Sequence, residues 1–216
     1  MASDGPLDLW HVDPHWIIAN KPSGLLAVPG KGPDKQDCLS SRVQRVYADA
    51  LIVHRLDMAT SGLMVLARGL EAQRKLSAAF ADRVVHKRYT AVVNGLLPPA
   101  YADWQLIDLP ISVDWPNRPL RVIDLVRGKA SMTRVKLLSQ DAVAHTTRLE
   151  LQPLTGRSHQ LRVHLQALGY PILGDALYAP PDVLALAPRL LLHATSLQLP
   201  HPAHGARMDF VCDAPF

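Results

Sequence analysis

The first third of the chain alternates short apolar runs with turn-forming residues. The apolar runs occupy residues 9–12, 16–19, 25–28 and 63–67. The segments between the first three runs contain Asp-Pro and Asn-Lys-Pro-Ser-Gly, whose residues favour turns. Runs of this length between turn formers are typical of buried strands, so we predict four strands here. Lys21 lies in the second turn, where we expect a solvated side chain.

Three segments place apolar residues at the spacing of an amphipathic helix. They begin at Cys38, Leu70 and Ser158, and the first two are predicted to span residues 38–48 and 70–82. In the third segment we expect Ser158 to cap the helix at its start and a glycine at position 169 to end it.

The second half of the chain favours strands. Residues 84–95 are rich in Val, Thr and Tyr and close on an Asn-Gly turn, and strand-like stretches follow at 132–138 and 146–151. Residues 96–128 contain Pro-Pro and Trp-Pro-Asn-Arg-Pro strings, which do not fit central strands. We therefore expect a long, turn-rich connection between the first of these strands and the second.

The composition fits a globular protein and is compatible with a polyanionic partner. The formal net charge is +4 and the pI about 9.2, carried by 16 Arg and 7 Lys against 17 Asp and 2 Glu. Arginine suits phosphate contacts, although a GC-rich genome explains much of the same bias. No stretch is long and apolar enough for a membrane span, and we expect no signal peptide. Cys38 and Cys212 are expected to be reduced thiols, and we expect the protein to be cytoplasmic.

A His-Arg-Leu-Asp string at residues 54–57 leads into the fourth predicted strand through a Thr-Ser-Gly turn. Asp57 is thus expected on a loop held by a rigid element, where catalytic groups are often placed. Arg55 lies two residues before Asp57, and its guanidinium would keep that carboxylate ionised. A purely structural Arg–Asp pair is the alternative interpretation of these residues alone.

Two further strings combine basic, aromatic and amide residues. Lys87-Arg88-Tyr89 lies in the predicted strand at 84–95, where a half-buried strand tyrosine is the structural alternative. Residues 155–164 read Thr-Gly-Arg-Ser-His-Gln-Leu-Arg-Val-His. The two histidines of the second string stand five apart, which is not the spacing of a His-Glu-x-x-His zinc site, so we expect no metal.

These three strings, in this order, resemble the sequence signatures of the RluA family of pseudouridine synthases. The turn at residues 20–24 and two blocks at 171–178 and 190–194 extend the resemblance, which runs from about Trp16 to Pro202. The resemblance implies an enzyme that isomerises uridine to pseudouridine within RNA. It also implies that the reaction needs no cofactor and no metal.

The resemblance assigns expected roles to individual residues. Asp57 is the catalytic carboxylate, either as nucleophile at the sugar or as the base that starts glycal formation. Tyr89 stacks on the flipped uracil and assists proton removal from C5. Arg157 pairs with Asp57 and keeps it ionised. The other expected contacts are Arg55, in the gap that the base leaves, and one of Leu191 and Leu192, in the base pocket.

Basic residues outside the catalytic strings are expected to contact the RNA backbone. Between residues 115 and 140 six cations stand against Asp124, a local charge of +5. These cations are Arg118, Arg121, Arg127, Lys129, Arg134 and Lys136. A solvated loop is the default interpretation of a charge run, but long connections are often functional. We also expect phosphate contacts at Arg55, Arg88 and Arg162.

Two strings point to one branch of the family. Met-Ala-Thr-Ser-Gly at 58–62 and Trp-Pro-Asn-Arg-Pro at 115–119 resemble a member that modifies both a 23S rRNA hairpin and a tRNA anticodon loop. Many members carry an S4-type RNA-binding module, and we expect none here. The expected partner is structured RNA, with no DNA and no membrane, and the expected oligomeric state is a monomer.

The elements and the resemblance together predict an α+β fold. We expect a single pseudouridine synthase catalytic domain over residues 1–216, with its core at about 14–202, built on a large mixed, mainly antiparallel sheet flanked by helices and loops. Two other classes stay open. A non-catalytic RNA-binding protein would retain its function without Asp57. A metal-dependent hydrolase would combine Asp57 with His193 or His201 and would be inhibited by a chelator.

Overall fold

The computed structural model describes residues 7–216, in two compact units. The first unit contains residues 7–87 together with Ala194–Pro215, and the second contains Arg88–His193 with Phe216. The chain passes from the first unit to the second within one strand and returns within another. The domain boundaries predicted from the sequence, 1–216, stay a prediction.

The described residues form twelve strands and four helices. The strands are β1 (Leu9–Val12), β2 (Trp16–Lys21), β3 (Ala50–Ile52), β4 (Ser61–Arg68), β5 (His86–Asn94), β6 (Gln105–Asp108), β7 (Ile111–Val113), β8 (Arg121–Ile123), β9 (Met132–Asp141), β10 (Thr146–Pro153), β11 (Leu192–Pro200) and β12 (Arg207–Val211). The helices are α1 (Leu39–Gln44), α2 (Gly69–Ala81), α3 (Gln160–Ala167) and α4 (Pro181–Leu184), with 3₁₀ turns at Pro33–Lys35 and Pro99–Ala102.

In the first unit, β4 lies between β2 and the short strand β3, and both pairs are antiparallel. β1 extends this arrangement beyond β2, and β12 pairs with β11. The apolar run of β4 is buried along nearly its whole length. Trp16 and Ile18 of β2 pack with Leu63 and Val65 of β4, and the buried face of α2 joins the same core through Leu76 and its neighbours. Burial of this apolar surface is the main stabilising contribution to the unit.

In the second unit, β5, β10, β9 and β6 follow one another, each antiparallel to the next. Tyr89 of β5 stands opposite Leu151 of β10. β7 and β8 form a separate two-stranded antiparallel ribbon within the long connection between β6 and β9. α3 contributes three buried apolar side chains, Leu161, Val163 and Leu165.

The predicted fold class is confirmed, with antiparallel strand pairs and few helices among residues 7–216. The predicted strand at 25–28 is wrong, because the carbonyls of Leu26 and Ala27 accept the N–H groups of Leu39 and Ser40, at 2.8 and 3.2 Å, instead of pairing with a strand. The predicted helix at 38–48 is shorter and ends at Gln44. No helix within residues 7–216 is long and apolar enough to cross a membrane.

Candidate active site

The Asp57 loop lies between β3 and β4 in the first unit. Arg55 is exposed, Leu56 is buried and Asp57 is half-buried, so the loop presents its charged side chains and anchors its apolar one. The Thr60 N–H donates to the Asp57 carbonyl at 3.1 Å and closes a tight turn. At Gly62, a Cβ would lie 2.4 Å from backbone atoms of Ala194, so only glycine allows this close approach.

Lys21 is fully buried, and the expectation of a solvated turn residue is wrong. Its Nζ donates to the carbonyls of Pro22, Leu25 and Met58, at 2.8, 2.7 and 3.0 Å. These bonds compensate the ammonium for the water that it loses on burial. The Gly24 N–H also donates to the Met58 carbonyl, at 2.9 Å. The turn at residues 20–24 therefore holds the backbone next to Asp57, a role that composition alone did not reveal.

His54 anchors the start of the same loop. Its Nε2 accepts the Val65 N–H at 3.1 Å, which places the ring proton on Nδ1, and its ring stacks on Phe80 at 4.5 Å between centroids. The ammonium of Lys87 lies 5.7 Å from the Phe80 ring centroid. Burial, reinforced by the positive charge of Lys87, lowers the pKa of His54 to about 3, and burial lowers the pKa of Lys87. His54 thus acts as a neutral structural anchor at neutral pH.

We predict that His54 makes the protein less stable in mild acid. Because its folded pKa is about 3 and its ordinary value 6.5, the unfolded chain binds the extra proton between these values. The free energy of unfolding should therefore fall as pH decreases from about 6.5 towards 3, by up to about 1.4 kcal/mol per pH unit from this group. Denaturant unfolding between pH 7 and about 4.5 measures this slope.

The comparison variant for this test is His54→Gln, whose amide oxygen can still accept the Val65 N–H but does not titrate. Its pH slope should be flatter than that of the wild type. His86→Gln, at an exposed position on β5, should leave the slope unchanged. Equal slopes for wild type and His54→Gln would show that His54 is not the titrating group.

The second unit carries Tyr89, which is half-buried in β5. Arg88 precedes it and pairs with Glu150 at 3.2 Å, and its guanidinium lies 4.9 Å from the Trp104 ring centroid. These contacts compete with the phosphate contact predicted for Arg88. Leu191 is half-buried and Leu192 is buried, and the Leu191 carbonyl accepts the Val92 N–H of β5 at 3.1 Å.

The amide of Gln160 organises the Thr-Gly-Arg segment. Its Nε2 donates to the Met132 carbonyl and to Thr133 Oγ1, at 2.9 and 3.0 Å. Its Oε1 accepts Thr155 Oγ1–H and the Arg157 N–H, at 2.7 and 3.0 Å. A buried amide whose oxygen and nitrogen both form such bonds is a rigid anchor. Gln160 was not among the predicted site residues, although its place inside the string was a signal.

Arg157 itself is exposed, and its Nε donates to the Ala130 carbonyl at 3.4 Å. Ser158 does not cap α3, contrary to the prediction. His159 precedes the helix in the left-handed region, at φ 58°, without a side-chain cap, and α3 begins at Gln160. The anchoring amide of Gln160 replaces a serine cap as the group that fixes this helix end.

Arg162 is buried, with 4% of its side chain exposed, and pairs with Asp175 at 2.8 and 2.5 Å. A buried bidentate ion pair keeps the guanidinium away from solvent, which argues against the phosphate contact predicted for Arg162. Asp175 also accepts the N–H groups of Leu177 and Tyr178, at 2.9 and 3.2 Å. This network is structural and ties α3 to the segment that follows it.

Tyr178 links the same network to the ribbon. Its hydroxyl accepts the Arg121 N–H at 2.9 Å and bonds His159 Nδ1 at 2.6 Å, and the Arg162 guanidinium lies 5.0 Å from its ring centroid. Burial is the main cause that raises the pKa of Tyr178, so the hydroxyl stays protonated at neutral pH and can donate to His159. The sequence did not single out Tyr178, because its partners are distant along the chain.

The predicted cationic segment belongs to the second unit. Arg118, Arg127, Lys129 and Arg134 are exposed, whereas the other two cations of the segment are half-buried. The Asp124 carboxylate accepts the N–H groups of Val126 and Arg127, and these hydrogen bonds lower its pKa. Asp124 therefore stays negatively charged at neutral pH, and the four exposed cations outnumber it.

The predicted site residues are divided between the two units. Asp57 and Arg55 belong to the first, and the second contains Tyr89, Arg88, Arg118, Arg157, Arg162, Leu191 and Leu192. Among residues 7–216, no cluster of three or more His, Cys, Asp or Glu side chains is arranged to hold a metal ion. His201, considered for a hydrolase, bonds Asp13 at 3.1 Å in the first unit.

Residues 15–167 match the RNA pseudouridylate synthase family, and the chain belongs to this family. It is 47% identical over 215 residues to the dual-specificity RNA pseudouridine synthase RluA of Escherichia coli O157:H7. The aligned region covers 98% of this chain and 96% of that protein. It is 48% identical over 204 residues to the Yersinia pestis protein of the same name, and this alignment covers 94% of this chain and 97% of that protein.

Solved structures agree with this assignment. The fold is similar to that of human RNA pseudouridylate synthase domain containing 1, with a TM-score of 0.81 and 26% identity over 100% of this chain and 86% of that one. Human RNA pseudouridylate synthase domain containing 4 gives a TM-score of 0.75 and 27% identity, over 96% of this chain and 88% of that one. The protein is therefore an isomerase that converts uridine to pseudouridine in RNA.

Proposed function

We propose that this synthase has dual specificity and modifies uridines in the stem-loops of both 23S rRNA and tRNA. The observation that carries the proposal is the identity of 47% over almost the whole length of both chains to a synthase named for dual specificity. We further propose that it acts as a monomer in the cytoplasm, where both RNAs are available, and that it binds neither DNA nor membranes.

The reaction explains why no cofactor is needed. The bond between C1′ of the ribose and N1 of the uracil breaks, the uracil turns, and a bond forms between C1′ and C5. The proton on C5 leaves and N1 gains a proton, so atoms and electrons balance without an oxidant or a reductant. The target nucleotide must leave the base stack before this can happen, as in other enzymes that act on a base.

Asp57 is the proposed catalytic residue. Its carboxylate acts either as the nucleophile at C1′ or as the base that removes the ribose proton and starts glycal formation. The anchored backbone of its loop supports both roles, because Lys21 and Gly24 hold the adjacent Met58 carbonyl. A catalytic group on a rigid loop keeps its orientation towards the substrate without further ordering.

The remaining predicted residues act around this carboxylate. Tyr89 stacks on the uracil and assists proton removal from C5, and Arg157 pairs with Asp57 and keeps it ionised. Arg55, which is exposed two residues before Asp57, fills the gap in the RNA stack. Of the two leucines, we assign the base pocket to Leu191, whose side chain retains an accessible part.

Dual specificity is tested with two stem-loop transcripts, one from rRNA and one from a tRNA anticodon arm, both labelled with tritium at uracil C5. Pseudouridine formation releases this hydrogen to water. The purified protein should release tritium from both RNAs in a single-turnover assay. Release from one RNA alone would refute dual specificity and leave the synthase activity intact.

We predict that RNA affinity falls steeply with salt. The four exposed cations of the 115–140 segment would add a slope of roughly −3 to the plot of log affinity against log salt, at about 0.7 for each phosphate neutralised. Arg127→Gln should reduce the slope by about 0.7, and Arg74→Gln, on the exposed face of α2, should not change it. A slope near zero would remove this segment from the RNA interface.

A further inference from the structure

The ribbon formed by β7 and β8 presents an exposed aromatic ring. Trp115 lies between the two strands and is 66% exposed, although tryptophan is usually much more buried. The guanidinium of Arg118 lies 4.8 Å from its ring centroid. Among residues 7–216 this is the one ring or cation contact recorded for Trp115, and its high exposure leaves ring surface available to a planar partner.

The turn that carries Trp115 is held by its own hydrogen bonds. Asp114 accepts the backbone and side-chain N–H groups of Asn117 at 3.3 and 2.9 Å. The Leu120 N–H donates to the Asn117 carbonyl at 3.0 Å, and the Asp114 N–H donates to the Leu120 carbonyl at 3.1 Å. The next residue along the chain, Arg121, is bonded to Tyr178. The backbone that carries the ring is thus held in place, which lowers the entropic cost of binding to it.

The surroundings of the ring favour one chemical class of partner. Arg118, Arg127 and Lys129 are exposed nearby in the sequence, and Asp124, the one acidic residue among positions 115–140, is engaged by backbone N–H groups. An exposed aromatic face beside a guanidinium, in a segment rich in exposed cations, fits a polyanion that carries flat bases. It does not fit an apolar protein surface, which would leave these charges without partners.

We propose that Trp115 is a stacking platform for one unpaired base of the RNA loop, other than the target uridine, with Arg118 holding the ring from behind. This inference rests on the proposed function, because it assumes a stem-loop substrate. Stacking tolerates any base, since every base has a π-face. The platform therefore selects an unpaired nucleotide rather than a sequence, which suits an enzyme that acts on two RNAs with different loops.

The test combines protein variants with abasic RNA. Trp115→Ala should weaken stem-loop binding by about 5- to 150-fold, the range for the loss of one stacked base, and Trp115→Phe should retain most of the affinity. Each loop nucleotide except the target uridine is then replaced, one at a time, by an abasic residue. At one position, the replacement should weaken binding to the wild type and should not weaken binding to Trp115→Ala.

Two controls separate stacking from other effects. Trp10→Ala, an exposed tryptophan on β1, should leave affinity unchanged, and Trp115→Leu keeps apolar bulk without a flat ring, so it should behave like Trp115→Ala. If no loop position shows the non-additive effect, or if Trp115→Leu binds like the wild type, the platform is refuted. Tritium release by the wild type on the same RNA is measured in parallel, so failure of the proposed function appears as loss of that signal instead.

Discussion

Asp57→Asn should lower pseudouridine formation by at least ~10²-fold, the usual minimum for loss of a catalytic acid or base, while RNA binding is unchanged. Asparagine has nearly the shape of aspartate but has no charge, so it can neither attack C1′ nor accept a ribose proton. Single-turnover tritium release with enzyme in excess measures the chemical step, and filter binding measures affinity.

The variant should fold normally, because the hydrogen bonds described at positions 57 and 58 are made to backbone carbonyls, which the substitution keeps. The Thr60 N–H bonds the Asp57 carbonyl, and Lys21 bonds the Met58 carbonyl. Asp34→Asn, at an exposed position of the same unit, is the matched control and should retain full activity. Turnover of Asp57→Asn above ~1% of the wild type would remove Asp57 from the catalytic role.

Arg157→Lys is expected to reduce turnover by about tenfold or more, since one hydrogen bond to a charged group contributes about 1.5–3 kcal/mol. The proposed pairing with Asp57 uses the planar fork of the guanidinium, which can hold a carboxylate by two bonds, whereas an ammonium acts as a point charge. Arg157→Ala should lose more activity than Arg157→Lys. Both variants should unfold at the same denaturant concentration as the wild type, because the Arg157 side chain is exposed.

The control for this prediction is Arg127→Lys, an exposed arginine of the cationic segment, which should retain its kcat. A loss of kcat at Arg157 without a change of RNA affinity separates a role in chemistry from a role in binding. If Arg157→Lys and Arg157→Ala both keep wild-type turnover, Arg157 is not the partner of Asp57. Arg162 would then be the next arginine to test, although Asp175 already binds it.

Local patterns predicted the elements that have a clear periodicity or composition along the sequence. The periodicity of residues 70–82 anticipated α2, and the Val- and Thr-rich stretch at 84–95 anticipated β5. The apolar run at 25–28 led to a wrong strand prediction, because its carbonyls accept hydrogen bonds from the first residues of α1 and not from a strand. Such a choice between backbone partners depends on which segment lies nearby, and a pattern of residues does not contain that information.

In the candidate site too, the sequence predicted some features, and others depend on contacts that a pattern of residues does not contain. The motif strings identified Asp57 and Arg157, and the structure leaves both at least partly accessible. The sequence could not show that Lys21 is buried against three carbonyls or that Arg162 pairs with Asp175, thirteen residues away. The bonds of Lys21 to Met58 and of Arg162 to Asp175 join segments that are distant along the chain, and this packing decides whether a cation meets solvent, RNA or a buried partner.

The most direct measurement maps pseudouridine at single-nucleotide resolution in rRNA and tRNA from cells that lack this protein. Loss should occur at one position of the large-subunit rRNA and at one anticodon-loop position of tRNA, and the wild-type protein should restore both. The Asp57→Asn variant, expressed at the same level, should restore neither. An unchanged pseudouridine map in cells that lack the protein, or full restoration by Asp57→Asn, would contradict an Asp57-dependent, dual-specificity RNA pseudouridine synthase.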